Sequence, residues 1–185
     1  MSANWLSEDI RSIQLQFQKQ PKVKWLVLGS YLSCIAALLQ ATGGLLPVVG
    51  FFISPFATLP ILIGTMFFLQ IGVISYFLSI SLLFILFPSE LIVFPFTTGI
   101  LGLGIGVGFY LFKEKLNIIS LGAILLALGI ICLLYILQFP VLGPIVSHSF
   151  SFLTAGSILL FSFFYSWLWV EMAPFFFKKF KPFLD

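Results

Sequence analysis

Apolar residues run through this chain in blocks far longer than a soluble helix or strand needs. Lys24 and Lys113 bracket 88 residues, with Glu90 the only charge among them. Lys115 and Lys178 bracket another 62, with Glu171 the only charge. Hydrocarbon about 30 Å thick, divided by a helical rise of about 1.5 Å per residue, needs about 20 apolar residues per span. The first block therefore holds about four spans and the second about two. This pattern predicts an all-α, polytopic membrane helix bundle of about six transmembrane helices.

Glycine and proline place the boundaries. The first helix is expected over about 25–41, ending at Thr42-Gly43-Gly44. Pro47, Pro55 and Pro60 follow, so 43–57 reads as an apolar loop or a short re-entrant piece. The second helix is expected over about 56–70 and the third over about 72–87, stopping before Pro88. A loop over 88–95 leads to a fourth helix over about 96–112. The fifth is expected over about 117–138. Pro140, Gly143 and Pro144 then mark a loop before a sixth over about 150–170.

Ahead of the first span the period changes. Leu6, Ile10, Ile13 and Phe17 recur at steps of four, three and four, with Glu8, Asp9, Arg11, Gln14 and Gln18 between them. That is an amphipathic helix of about three turns, stopped by Pro21 and suited to lie in the cytoplasmic interface. The expected organisation is an amphipathic segment over 1–24, a six-helix domain over 25–170 and a basic-aromatic cytoplasmic tail over 171–185. A cleaved leader is the competing reading, with 26–39 as its apolar core and Ala41-Thr42-Gly43 as its small-residue site. The mostly polar stretch over 1–24 is long for such a leader, so the uncleaved reading is preferred.

Composition excludes the alternatives to a membrane fold. Of 185 residues, 61% are hydrophobic and 8% charged, where soluble domains carry about 45–50% and about 25%. Mean hydropathy is +1.18. The net charge of +3 is no nucleic-acid footprint, because the basic residues flank apolar runs instead of forming one polar face.

All nine basic residues fall in three places: Arg11, Lys19, Lys22 and Lys24; Lys113 and Lys115; Lys178, Lys179 and Lys181. Six spans with both termini cytoplasmic put all three places inside, and no Lys or Arg outside. Five spans would put Lys113 and Lys115 outside. Trp25, Tyr110, Trp167 and Trp169 are then expected at inner helix ends, the depth that amphipathic rings prefer.

Enzyme motifs are absent. His148 is the only histidine, no metal-ligand spacing occurs, and no nucleophile elbow, Walker lysine or paired carboxylate appears. No cofactor is expected, and Cys34 and Cys132 read as small apolar residues inside helices. The run Gly102-Leu103-Gly104-Ile105-Gly106-Val107-Gly108 lies inside an apolar helix, so its meaning is close packing, with Gly104 and Gly108 four apart. Gly29, Ser33, Ala37 and Ala41 form a second small-residue stripe on the first helix. It serves either packing inside the bundle or docking of another membrane subunit.

Polar residues gather at the outer ends. Gln40, Thr97, Thr98 and Gln138 end or begin helices, while Glu90 and His148 lie in outer loops. Two readings stay open: solvated loop residues, or the lining of one outward cavity that binds a small molecule. In the second, Glu90 within about 4–6 Å of His148 would raise the imidazole pKa above its usual value. No Asp, Glu, Lys or Arg falls at a helix centre, which argues against a proton-driven pump.

The layout resembles the substrate-capturing membrane component of energy-coupling-factor vitamin transporters, and a related group of multi-pass bacterial membrane proteins. The likeness lies in the six short helices, the stripe on the first, and Phe56 to Lys115, where Gly99-Ile100-Leu101-Gly102-Leu103-Gly104-Ile105-Gly106 closes on Lys113-Glu114-Lys115. The resemblance implies a protein of the bacterial cytoplasmic membrane that captures a vitamin-like molecule from outside. A membrane coupling subunit with ATPases would then meet the stripe at Ser33, Ala37 and Ala41. The chain carries none of the polar and aromatic signatures that name one vitamin. The other function class is a non-transporting membrane protein that packs with or regulates a partner.

Topology is directly testable. Ser89→Cys and Ser147→Cys, each on a background lacking Cys34 and Cys132, should react with an impermeant thiol reagent from outside, and Asn117→Cys should not. Outside labelling at 117 would overturn the six-span arrangement.

Overall fold

A computed structural model describes residues 20–46, 48–139 and 152–180, with Leu15 alone ahead of them. Among these residues every regular element is helical. The order is α1 (Lys22–Leu45), α2 (Val49–Ile53), a 3-10 turn (Ser54–Ala57), α3 (Thr58–Phe67), α4 (Leu69–Leu86), α5 (Pro88–Phe96), α6 (Thr98–Leu111), α7 (Lys115–Ile131), a π turn (Cys132–Ile136) and α8 (Phe152–Phe180). They join into six helices long and apolar enough to cross a membrane: Lys22–Leu45, Val49–Phe67, Leu69–Leu86, Pro88–Leu111, Lys115–Ile136 and Phe152–Lys179. The protein is therefore a multi-pass membrane helix bundle. The amphipathic helix expected before Pro21 and the loop containing His148 lie outside the described residues.

The boundaries depart from the sequence pattern in one direction: helix replaces loop. Thr42, Gly43 and Gly44 do not stop α1, which continues to Leu45. Thr42 Oγ1 donates to the Leu39 carbonyl at 2.6 Å. Residues 49–57 are α2 and the 3-10 turn, running straight into α3. The segment 88–95 is α5, not a loop. Proline opens it at a first-turn position, where no N–H is needed. Glu90 accordingly stands in the first turn of a helix. The last helix runs to Phe180, so 171–180 continue the sixth span instead of forming a tail. The common cause is the solvent, because lipid offers the backbone no partner and helix is its cheapest satisfaction.

Two close contacts hold the bundle. The stripe on α1 packs against α4 of the same chain. Ser75 Oγ donates to the Gly29 carbonyl at 3.1 Å, and Ser79 Oγ to the Ser33 carbonyl at 3.2 Å. Ala37 and Ala41 are each 2% exposed and cluster with Leu83, Ile61 and Phe94. The stripe is thus covered internally and is not open to a coupling subunit. The second contact is α6, whose glycines face two ways. A methyl at Gly102 would stand 2.8 Å from the Thr58 carbonyl, and one at Gly106 would strike Thr65, both on α3. One at Gly104 would strike Leu125, and one at Gly108 would stand 2.9 Å from Ile118, both on α7.

The ends that carry the lysines come together. Trp25 packs on Phe68 at 4.7 Å between ring centroids, and Phe67 on Phe177 at 5.1 Å. Tyr110 donates to the Thr65 carbonyl at 2.7 Å. Lys115 Nζ meets Glu171 at 2.8 Å. We call this the basic end. Trp25 and Tyr110 lie there as expected, but Trp169 does not. It is 3% exposed, in the core beside Phe56 and Tyr165, because α8 continues past it to Phe180.

Ala37→Leu should force bulk between α1 and α4 and cost about 1–3 kcal/mol, the usual range for overpacking. Thermal unfolding of the isolated protein should show a lowered midpoint. An unchanged midpoint would mean the contact yields freely.

Candidate functional site

Opposite the basic end, a cavity of about 450 Å³ opens between α1, the 3-10 turn, α5, α6, α7 and α8. Gln40 enters from α1, about 8 Å before that helix ends at 1.5 Å rise per residue. Ser54 and Pro55 come from the 3-10 turn, Glu90 and Val93 from α5, and Thr97 and Thr98 from the break before α6. Leu126 and Ile130 of α7, Phe139 beyond the π turn, and Phe161 and Tyr165 of α8 complete the wall.

One hydrogen-bonded chain crosses the cavity's polar side. Thr98 Oγ1 donates to Gln40 Oε1 at 2.7 Å. Gln40 Nε2 donates to Glu90 Oε2 at 2.8 Å. A hydroxyl donor at one end and a carboxylate at the other leave the amide a single satisfying orientation. Gln40 is 2% exposed and Thr98 8%, so the pairing is what makes these groups tolerable in an apolar surround. Glu90 is half-buried, in the first turn of α5, where unpaired N–H groups favour negative charge. A methyl at Gly43 or Gly44 would stand 3.3 Å from Glu90 Oε1. Those glycines therefore let the last turn of α1 close on the carboxylate.

The backbone is irregular where it meets the cavity. Span four breaks at Thr97 (φ −122, ψ −95), between α5 and α6. Pro95 inside α5 removes one donor there. Beyond it Thr97 gives its N–H to the Val93 carbonyl at 3.1 Å and its hydroxyl to the same carbonyl at 2.8 Å. Deeper in, the Tyr165 hydroxyl donates to the Pro55 carbonyl at 3.3 Å. Behind it Thr58 Oγ1 and Trp169 Nε1 are buried beside the same hydroxyl.

Of the residues singled out by sequence, the structure brings Gln40, Glu90, Thr97 and Thr98 together. Gln138 is exposed, with a positive φ of 52°, and is not part of the lining. Its neighbour Phe139 takes that place. His148 is outside the described residues, and its pairing with Glu90 with it. The aromatic wall went unnoticed in sequence, although Phe161, Tyr165 and Trp169 stand four apart on one helix face.

Among the described residues no three of His, Cys, Asp and Glu come together to hold a metal. The arrangement holds a shape and a charge, which is chemistry for binding. No family model, curated protein or solved structure matches the chain.

Gln40→Leu should strand the Thr98 hydroxyl and the Glu90 carboxylate at once. Leaving a buried polar group unpaired costs about 1–3 kcal/mol, so thermal unfolding should show a clear loss. An equal midpoint would mean that the chain of bonds holds nothing in place.

Proposed function

We propose that this membrane protein captures a small molecule in the cavity between Glu90 and Tyr165. The observation that carries the reading is the cavity itself. At about 450 Å³ it falls within the roughly 300–1,000 Å³ of small-molecule sites. It is mostly apolar, with a few fixed polar groups, as such sites are. The broken span supports the same reading. Interrupted backbone at membrane depth is tolerated where it lines a cavity, and transporters place substrates against such half-helices.

Orientation follows from charge. Lys22, Lys24, Lys113, Lys115, Lys178 and Lys179 belong to the basic end. The positive-inside rule puts that end in the cytoplasm, so the cavity opens outward. The molecule is then taken from outside, in the bacterial cytoplasmic membrane that the likeness to vitamin-capturing components implies. Passage inward draws on separate coupling and ATPase subunits. Those subunits dock on a face other than the α1 stripe, which α4 covers. The competing reading, a non-transporting protein that packs with or regulates a membrane partner, has no use for such a cavity.

Val93→Trp tests the reading by filling the cavity from α5. Protein purified from native membrane should carry a co-purifying small molecule, detected by mass spectrometry. The variant should lose that molecule while keeping its melting behaviour. Retention at equal occupancy, or a wild type with nothing bound under conditions where a protein partner co-purifies, would overturn the reading in favour of the regulatory one.

A further inference from the structure

Resting on the capture reading, we propose that the cavity takes an organic cation, an amine or quaternary ammonium on an apolar body, with the Glu90 carboxylate as its counter-ion. Glu90 is the only Asp, Glu, Lys or Arg among the described lining residues. The described lysines belong to the basic end. Lys24 and Gln40 are separated by about 24 Å along α1, at 1.5 Å per residue. Gln40 supplies one hydrogen bond to Oε2, while an ionised carboxylate has about four acceptor positions. The other oxygen, Oε1, faces Gly43 and Gly44, in the last turn of α1, where helix carbonyls add partial negative charge. The first turn of α5 offsets the partial charge of α1, so the preference for a cation rests on the Glu90 carboxylate itself. A carboxylate in an apolar cavity also gains most from a counter-ion that fills the same space.

The rest of the lining decides which kind of cation. A bare metal ion needs several hard oxygens around it. Here a single carboxylate is joined only by the neutral hydroxyls of Ser54 and Ser89 and by an amide oxygen already occupied by Thr98, too little charge to offset stripping a metal ion of its water. An alkylated ammonium needs no such shell, and aromatic rings suit it. Phe139, Phe161 and Tyr165 supply them, the last two stacked at 5.7 Å with planes 16° apart. Leu126 and Ile130 offer surface to an apolar body.

The test uses the full protein in zwitterionic lipid nanodiscs with three probes of one shape class, followed by calorimetry. These are benzyltrimethylammonium, its uncharged carbon isostere neopentylbenzene, and phenylacetate. The wild type should bind the cation about tenfold or more tighter than the isostere, given a counter-ion at close range in a shielded site, and should bind phenylacetate least. Glu90→Gln keeps shape and hydrogen bonding but removes charge, and should erase the preference while leaving the isostere's affinity unchanged. Val93→Trp should abolish binding of both. A wild type without preference for the cation, including one that binds none of the three, overturns the inference, and that comparison needs no variant. A preference that survives in Glu90→Gln overturns it too. The capture reading fails separately, if Val93→Trp leaves its co-purifying molecule in place.

Discussion

A peptide group left unpaired in hydrocarbon costs several kcal/mol, and most of this structure can be traced to that single penalty. It explains why α1 runs through Thr42, Gly43 and Gly44, which in water would end a helix. It explains why a proline-bounded stretch becomes α5 and why α2, the 3-10 turn and α3 follow one another with almost no irregular backbone. Where the chain does leave helical geometry inside a span, at Thr97, that residue's own N–H, hydroxyl and carbonyl stay paired, with Val93 and Leu101. The penalty therefore confines irregular backbone to places that something else requires, and the break at Thr97 borders the cavity.

The same rule accounts for what could be read in advance. Six spans were legible because charge is so costly in lipid that lysines mark span ends almost by themselves. Boundaries were not, because Gly and Pro carry turn meanings learned in water. Residues 43–57 and 88–95 were misjudged for that reason. The meeting of Gln40, Glu90, Thr97 and Thr98 was foreseeable only as a shared depth. That Gln40 would bridge the other two elements depended on α5 being a helix that turns Glu90 inward. Gln138 shows the converse: correct depth, wrong side, because the helix has ended before it and its positive φ of 52° leaves it exposed while Phe139 enters the lining. The aromatic wall on α8 was present as a four-residue period, masked by the abundance of phenylalanine in the chain.

Close packing and open space alternate within this bundle. Along α6, glycines let the backbone approach α3 and α7 closely. Around the cavity, Gly129 brings α7 against Phe96 at the end of α5, and the space opens beside that contact, where Val93, Leu126 and Ile130 line it. Leu62, Met66, Leu101, Ile105 and Phe94 are fully enclosed, whereas Phe51 and Phe161 keep open faces.

The chain of bonds through Gln40 has a geometric consequence of its own. Glu90 rides on α5 and Thr98 on α6, two halves of one span joined at Thr97. Gln40 belongs to neither half, yet its amide grips both. Any swing of α5 about the Thr97 joint changes the gap between carboxylate and hydroxyl, and an amide of fixed length cannot follow it. The glutamine is thus a latch across a hinge. On the proposed capture reading, a guest that drew Glu90 towards itself would pull on that amide and so load the joint at Thr97.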